Sequence, residues 1–195
     1  MAPLSAWYVL AAALLLDFVL GDPAGLPHPV RLMGSAIQKL EPPLRGSPLP
    51  LFASGLLLTA ILVVSAYLIT WVVVDLAGWL HPAAGVAVEI AVVYTCLAAR
   101  CLYIEAKKVY KALSGGDMKT ARRQIGMLIS RDPETLDAEG ISRAAVETVS
   151  ENFVDGVLSP LFFAALLGAP GAVAYKMAST LDSMVGYKTE RYVLF

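Results

Sequence analysis

The sequence predicts an all-α, multi-pass helical membrane protein, and three observations carry that reading. Hydrophobic residues fill 57% of the 195 positions and charged residues only 16%, well short of the roughly one quarter that a water-facing domain carries. A 26-residue run, 49–74, holds no charged side chain, and about 20 helical residues cross a bilayer core. Lys and Arg are absent from 1–30 and 46–99, whereas nine of the 15 basic residues lie between Arg100 and Arg143. Alternating apolar and basic blocks are how a chain threaded repeatedly through a membrane reads. Mean hydropathy of +0.67 agrees. A soluble globular domain and a disordered chain are excluded. The net charge of −1 gives nucleic acid no electrostatic footing. The length suits one domain, so 1–195 is read as a single integral membrane unit.

Residues 4–20 form an apolar stretch broken only by Asp17. It lacks the basic flank of a signal peptide, and Asp17 would fall in its apolar centre, so it reads as a retained membrane helix. Gly21-Asp22-Pro23 ends it, since glycine caps a helix and proline cannot continue one. A Pro/Gly-rich connector, 21–48, follows, with a short interfacial helix at 34–40 stopped by Pro42 and Pro43. The second span is 49–74. A turn at 75–84 leads to a third span at 85–99, which contains Glu89 and runs on as one helix past Arg100 into a basic segment. Ser114-Gly115-Gly116-Asp117 breaks that helix. Asp117 is placed to cap a polar helix at 118–129, and Asp132-Pro133 reads as another cap followed by a first-turn proline. A further helix is expected over 137–152. The apolar segment 157–175 is interrupted at Gly168-Ala169-Pro170-Gly171, and each half is too short to span alone. A kinked span and a re-entrant hairpin both fit, and the hairpin is preferred because it keeps Lys176, Lys188 and Arg191 with the other basic residues. The positive-inside rule puts the N-terminus outside and both 21–48 and 103–156 in the cytoplasm. Cys96 and Cys101, about 140° apart on a helix, read as two buried, reduced thiols.

Three groups of residues could carry chemistry. Asp17, Asp22, His28 and Arg31 cluster around the end of the first span, where an intramembrane carboxylate needs a partner, a polar cavity or the interface. Prolines on both sides stiffen His28, as a recognition loop requires, although a plain turn histidine is an equal reading. Arg143, Glu147 and Glu151 recur at helical spacing, with Asp155 one turn on. Three carboxylates this close repel unless a cation lies among them. Oxygen ligands suit Mg²⁺, with Asn152 and Ser150 in reach. A solvated acidic face explains the same spacing. Asp182, Lys188 and Arg191 follow the broken apolar segment, where they could bind metal and phosphate or merely anchor the chain at the membrane surface. The basic cluster from Arg100 to Arg123 sets topology, contacts anionic headgroups, or attracts a multiply charged substrate. No Walker motif, GxGxxG, HExxH or CxxC is present.

Taken together, three stretches resemble one family. They are Leu16-Asp17 through Gly21-Asp22-Pro23 to Pro27-His28-Pro29-Val30-Arg31; Glu147 through Glu151-Asn152 to Asp155-Gly156 and Ser159-Pro160-Leu161-Phe162; and Tyr175-Lys176 through Thr180-Leu181-Asp182-Ser183-Met184-Val185-Gly186-Tyr187-Lys188. The chain resembles the CbiB/CobD-type membrane proteins of cobalamin biosynthesis, the adenosylcobinamide-phosphate synthases, along its whole length and in the family's order. The resemblance implies ATP- and Mg²⁺-dependent amide formation between aminopropanol, as its O-phosphate, and the free carboxylate of adenosylcobyric acid. It implies that Glu147, Glu151, Asp155 and Asp182 hold metal and nucleotide phosphates. Asn152, Arg31, Lys176, Lys188 and Arg191 would contact the nucleotide and neutralise phosphate charge. Asp17, Asp22, His28 and Glu151 would shape the substrate cleft or take a proton from the amine. Expected partners are the corrinoid, aminopropanol phosphate, membrane lipid, and a second copy or other enzymes of the pathway. The expected location is the cell membrane, with the active face toward the cytoplasm. Two departures are visible: Ser179 stands where the family typically has Asn, and relatives continue past the equivalent of Phe195 into an Arg- and Asp-rich stretch and further spans. From the residues alone, Asp17, Glu89 and the broken apolar segment also suit a small transporter or channel subunit, and the basic helices suit a non-catalytic partner of corrinoid enzymes.

Overall fold

The computed structural model describes residues 7–21, 29–129 and 131–195. Asp22, His28 and the first residues of the expected 4–20 helix lie outside them. Among the described residues there is no strand. The order is α1 (Trp7–Leu20), α2 (Pro29–Arg45), α3 (Leu51–Leu80), α4 (Pro82–Cys96), α5 (Ala99–Ser114), α6 (Met118–Gly126), a 3-10 turn (Pro133–Thr135), α7 (Ala138–Phe153), a π-helical segment (Val154–Leu158) and α8 (Ser159–Val185). Three helical stretches are long and apolar enough to cross a membrane, Leu51–Leu80, Pro82–Ser114 and Ala138–Val185. The all-α, multi-pass reading therefore holds.

Several boundaries differ from expectation, each for a visible reason. With 30 residues, α3 is about 45 Å long and absorbs most of the expected turn. Only His81 separates it from α4: its backbone N–H closes α3 onto the Ala77 carbonyl, and its Nδ1 accepts from the Ala83 amide to start α4. Pro82 then takes the first-turn position that tolerates a missing N–H. Instead of a short helix stopped by proline, α2 runs through Pro42 and Pro43. Its buried residues Met33, Ile37 and Glu41 recur every fourth position, and the packing of that stripe outweighs the two missing donors. The expected continuous helix across Arg100 is broken at Leu97-Ala98, where both residues leave helical geometry. Cys96 is buried but Cys101 is exposed, so only one thiol matches expectation.

The preferred hairpin within 157–175 is realised. Phe163 and Tyr175 stack with ring centroids 5.1 Å apart, whereas twelve residues of straight helix would separate them by about 18 Å. The chain reverses at Gly168, whose φ of 73° and ψ of −171° belong to a region open essentially to glycine alone. Gly171 allows the arms to close, because a Cβ there would meet the Phe163 carbonyl oxygen at 2.5 Å.

Three apolar clusters hold the structure. Ala13 of α1, Val93 and Cys96 of α4, and Ala164, Ala169 and Ala172 of the hairpin form the first. These small residues let the hairpin tip approach its neighbours closely, as lipid-embedded packing requires. Met33 and Ile37 of α2, Leu58 and Leu62 of α3, and Met177 and Leu181 of α8 form the second. The third joins Val109 and Ala112 of α5, Ala121 and Ile125 of α6, and Ile141 and Ala144 of α7. Its helices start where the aspartates predict: Asp117 accepts from the Thr120 amide at 3.0 Å, Asp132 from Glu134 at 3.0 Å and Asp137 from Gly140 at 2.8 Å.

Candidate functional site

The break between α4 and α5 is the hub of the site. Asp17 of α1 is buried, and its Oδ2 accepts the Arg100 backbone N–H at 3.1 Å. That N–H is an orphan donor at the start of α5, where the helix dipole favours negative charge. The Arg100 guanidinium reaches the opposite way, donating to the Phe18 carbonyl at 3.1 Å and to that of Val19. Those carbonyls are the orphan acceptors at the end of α1. Gly21, at φ +64°, leaves room for the Arg100 side chain that a Cβ would strike at 2.8 Å, and its carbonyl accepts from the Tyr94 hydroxyl. Asp17, expected in the substrate cleft, thus has a partner at a helix end.

On the other side of the break, the Ala98 N–H donates to the Gly156 carbonyl at 2.9 Å. Gly156 lies in the π-helical segment, so two irregular backbones meet here, each satisfying the other. Irregular backbone at membrane depth persists only when buried in protein or lining a cavity, and π segments gather at functional sites. The extra residue in this turn turns Asp155 toward α8. Asp155 Oδ1 accepts from the Tyr175 hydroxyl at 2.8 Å. Tyr175 also hydrogen-bonds the Ser159 side chain. The second and third sequence stretches therefore meet at the Asp155–Tyr175 hydrogen bond, and Asp182 follows about two turns further along the same arm.

The first stretch joins through α2. Met33 packs beside Thr180, with 4.0 Å between Sδ and Oγ1. A Cβ on Gly34 would meet the Met184 sulfur at 3.5 Å. Arg31 is exposed, one turn before that contact. Lys176 is half-buried. Glu151, Asn152, Asp182 and Lys188 are exposed.

Two expected ligands are committed elsewhere. Glu147 pairs with Arg131 and Arg143, each at 3.0 Å, which ties the segment before α7 to that helix. Arg191, expected on phosphate, donates to buried Glu41 at 2.9 Å, and that carboxylate keeps the guanidinium charged. Arg45 completes this cluster, bonding Glu41 at 3.2 Å and the Arg191 carbonyl at 2.7 Å and lying over the Phe195 ring at 4.2 Å. The cluster docks residues 187–195 onto α2 and α3. Among the described residues, no three His, Cys, Asp or Glu side chains are grouped to hold a metal ion. Asp155, Asp182 and Glu151 therefore do not form a metal site caged by protein; Mg²⁺ can also be held by one or two carboxylates with phosphates and water completing its shell. Tyr175 and Tyr94 have no assigned role in the sequence, and Arg100 counts there only as part of the basic cluster. The only signal for Tyr175 was its position as a polar aromatic opening the third stretch within an apolar arm.

A family profile described as "CobD/Cbib protein" matches residues 10–195. The chain is similar to a protein named cobalamin biosynthesis protein CobD from Pelobacter propionicus, 48% identical over 185 residues, covering 95% of this chain and 57% of that protein. It is similar to one of the same name from Citrobacter koseri, 44% identical over 190 residues, covering 96% and 59%. Another, cobalamin biosynthesis protein CbiB from Salmonella arizonae, is 42% identical over 190 residues, again covering 96% and 59%. The chain thus spans less than three-fifths of the length of these relatives. No solved structure matches. With Asp17 of the first stretch and Gly156 of the second meeting at one break in the helices and a family match that runs almost end to end, the chain belongs to the CobD/CbiB family of cobalamin-biosynthesis proteins.

Proposed function

We propose that this chain carries the site at which aminopropanol O-phosphate is joined to the free carboxylate of adenosylcobyric acid, giving adenosylcobinamide phosphate. Family membership supports a role in cobalamin biosynthesis, and the Asp155–Tyr175 hydrogen bond carries the rest. It joins two acidic stretches, twenty residues apart in sequence, at an irregular backbone beside the membrane spans.

A carboxylate resists attack by an amine because its oxygen is a poor leaving group. In the proposed sequence the substrate carboxylate oxygen attacks the γ-phosphorus of ATP and ADP departs, giving an acyl phosphate. The amine nitrogen then attacks the acyl carbon, inorganic phosphate leaves, and the nitrogen gives up a proton. Mg²⁺ bound with the nucleotide supplies neutralisation of phosphate charge. Asp155 and Asp182, with Glu151 and Asn152, would hold that metal and the phosphates. Tyr175 fixes the rotamer of Asp155. Arg31, Lys176 and Lys188 would balance the remaining charge, and Asp22 or His28 would take the amine proton. Glu147 and Arg191 are left out of the binding set, since their ion pairs hold the scaffold. The excess of Lys and Arg in 100–156 favours a cytoplasmic site, where ATP is abundant.

The test is incubation of the reconstituted protein with adenosylcobyric acid, aminopropanol phosphate, ATP and Mg²⁺, followed by product mass. Amide product that requires both ATP and metal is expected. Ion flux across liposomes without corrinoid binding would overturn the reading in favour of a transporter, and corrinoid binding without turnover would favour a non-catalytic partner.

A further inference from the structure

We infer that the outward face of α5 lies along the membrane–water boundary and takes the headgroups of anionic phospholipids. The inference does not depend on the proposed reaction. The first turn of α5 is locked to the end of α1 by Asp17 and Arg100, directly after the break that ends α4. Its start is therefore level with the ends of two apolar helices.

From there, Tyr103, Lys107 and Tyr110 recur at helical spacing, with Ile104 and Lys111 beside them on the same side. The opposite side, Val109 and Ala112, is buried against α6 and α7. Tyr103 is 57% exposed and Tyr110 69%. Tyr110 also walls an apolar cleft of about 330 Å³ between α5 and α7, so the apolar surface continues past the stripe. The Lys107 ammonium bonds the Tyr103 hydroxyl at 3.0 Å and lies 5.0 Å from that ring's centroid.

An aromatic and aliphatic stripe carrying lysines suits the headgroup layer. There the rings settle at the boundary, the lysine stems lie on apolar surface and the ammonium groups reach phosphate. Charge selects the kind of lipid. Lys107, Lys108, Lys111, Lys119, Arg122 and Arg123 outnumber Glu105 and Asp117 on α5, α6 and the turn between them, which favours an anionic leaflet. The orientation is decided by length. Tyr110 is ten residues beyond Arg100, about 15 Å along the axis, whereas the headgroup layer is roughly 5–8 Å deep on each side. An α5 rising straight off the membrane would carry Tyr110 clear of lipid. One lying along the surface keeps it within.

A nitroxide placed singly at Tyr103→Cys or Tyr110→Cys, in the full chain carrying Cys101→Ser, measures this directly. The protein is reconstituted in bilayers of phosphatidylcholine with phosphatidylglycerol, and a label at Glu139→Cys on exposed α7 serves as the aqueous reference. Labels at 103 and 110 should show nickel-chelate accessibility several-fold below that at 139, with higher oxygen accessibility. Water-like accessibility at both α5 positions overturns the proposal. The paired change Lys107→Glu and Lys111→Glu should raise nickel accessibility at 110 toward the reference value. An unchanged depth in that variant, together with an unchanged depth in phosphatidylcholine alone, overturns the selection of anionic headgroups.

Discussion

Asp17 and Arg100 cap each other's helices across 83 positions of sequence: the carboxylate takes the backbone N–H at the start of α5, and the guanidinium takes the last carbonyls of α1. Each helix end supplies partners that the other lacks. Asp17→Ala leaves the Arg100 amide without this acceptor, at a cost of about 1–3 kcal/mol. Asp17→Asn keeps an acceptor oxygen and should lose less. Thermal unfolding in bicelles checks the order. Arg100→Ala combined with Asp17→Ala should lose less than the sum of the two single changes; strict additivity would show that the two caps act independently.

Gly168 sets the hairpin of α8. A side chain at its φ and ψ is strained by about 1–3 kcal/mol, so Gly168→Ala should lower thermal stability by that amount. Gly171→Leu should do worse, because the added atoms meet the Phe163 carbonyl and separate the arms. If Gly168→Ala unfolds at the same temperature as the parent, the reversal does not depend on this backbone geometry.

Tyr175→Phe retains the ring that stacks on Phe163 and deletes the hydroxyl that orients Asp155. Loss of a partner that orients a metal-binding carboxylate typically costs about 10–100-fold in metal affinity or activity. The deficit should appear as a raised requirement for Mg²⁺-ATP, with little change in the KM for aminopropanol phosphate. A uniform fall in kcat with unchanged metal dependence would argue that Tyr175 is only a packing residue.

The acidic residues of α7 separate by role. Glu151→Gln and Asp182→Asn should abolish turnover if the proposed binding set is right, while leaving membrane insertion intact, because both carboxylates are exposed and hold no scaffold ion pair among the described residues. Glu147→Gln should retain most activity, since Glu147 is held by Arg131 and Arg143. Steady-state rates on the three variants decide this. Near-normal rates for Glu151→Gln and Asp182→Asn would refute the binding set, and complete loss with Glu147→Gln would return that residue to it.

What the sequence made legible follows from local physics. A run without charge must be an apolar helix in lipid, so α3 was readable. An aspartate ahead of a helical pattern caps it, so the starts of α6 and α7 were readable too. Gly168 with its neighbours marked the hairpin. The break at Leu97-Ala98 contains neither glycine nor proline, so nothing local announces it. It exists because Asp17 and Gly156, both distant in sequence, bond the freed N–H groups. The passage of α2 through Pro42 and Pro43 has the same origin, since Glu41 is buried between Arg45 and Arg191. The motif stretches named most of the residues that converge on the site. Spacing alone could not tell Glu147, consumed by arginines, from Asp155, turned toward Tyr175 by a π-helical segment.

Asp117 provides a pH test outside the membrane spans. Hydrogen bonds from the Thr120 side chain and backbone amide hold its carboxyl below the ordinary range. A carboxyl with a lowered value in the folded state stabilises it in full above the unfolded value. That contribution declines as the unfolded chain takes up protons, and it is gone once the pH passes below the folded value. The start of α6 should therefore lose amide-exchange protection on acidification through the range just below the usual aspartate value. Asp117→Asn caps the same amide without titrating, so its protection factors over 118–126 should stay flat across that range. Arg123 and Lys119 also act on Asp117, by charge alone and more weakly than Thr120, so added salt should narrow the transition only slightly. Parallel loss of protection in parent and Asp117→Asn would place the acid-sensitive group elsewhere among α5, α6 and α7.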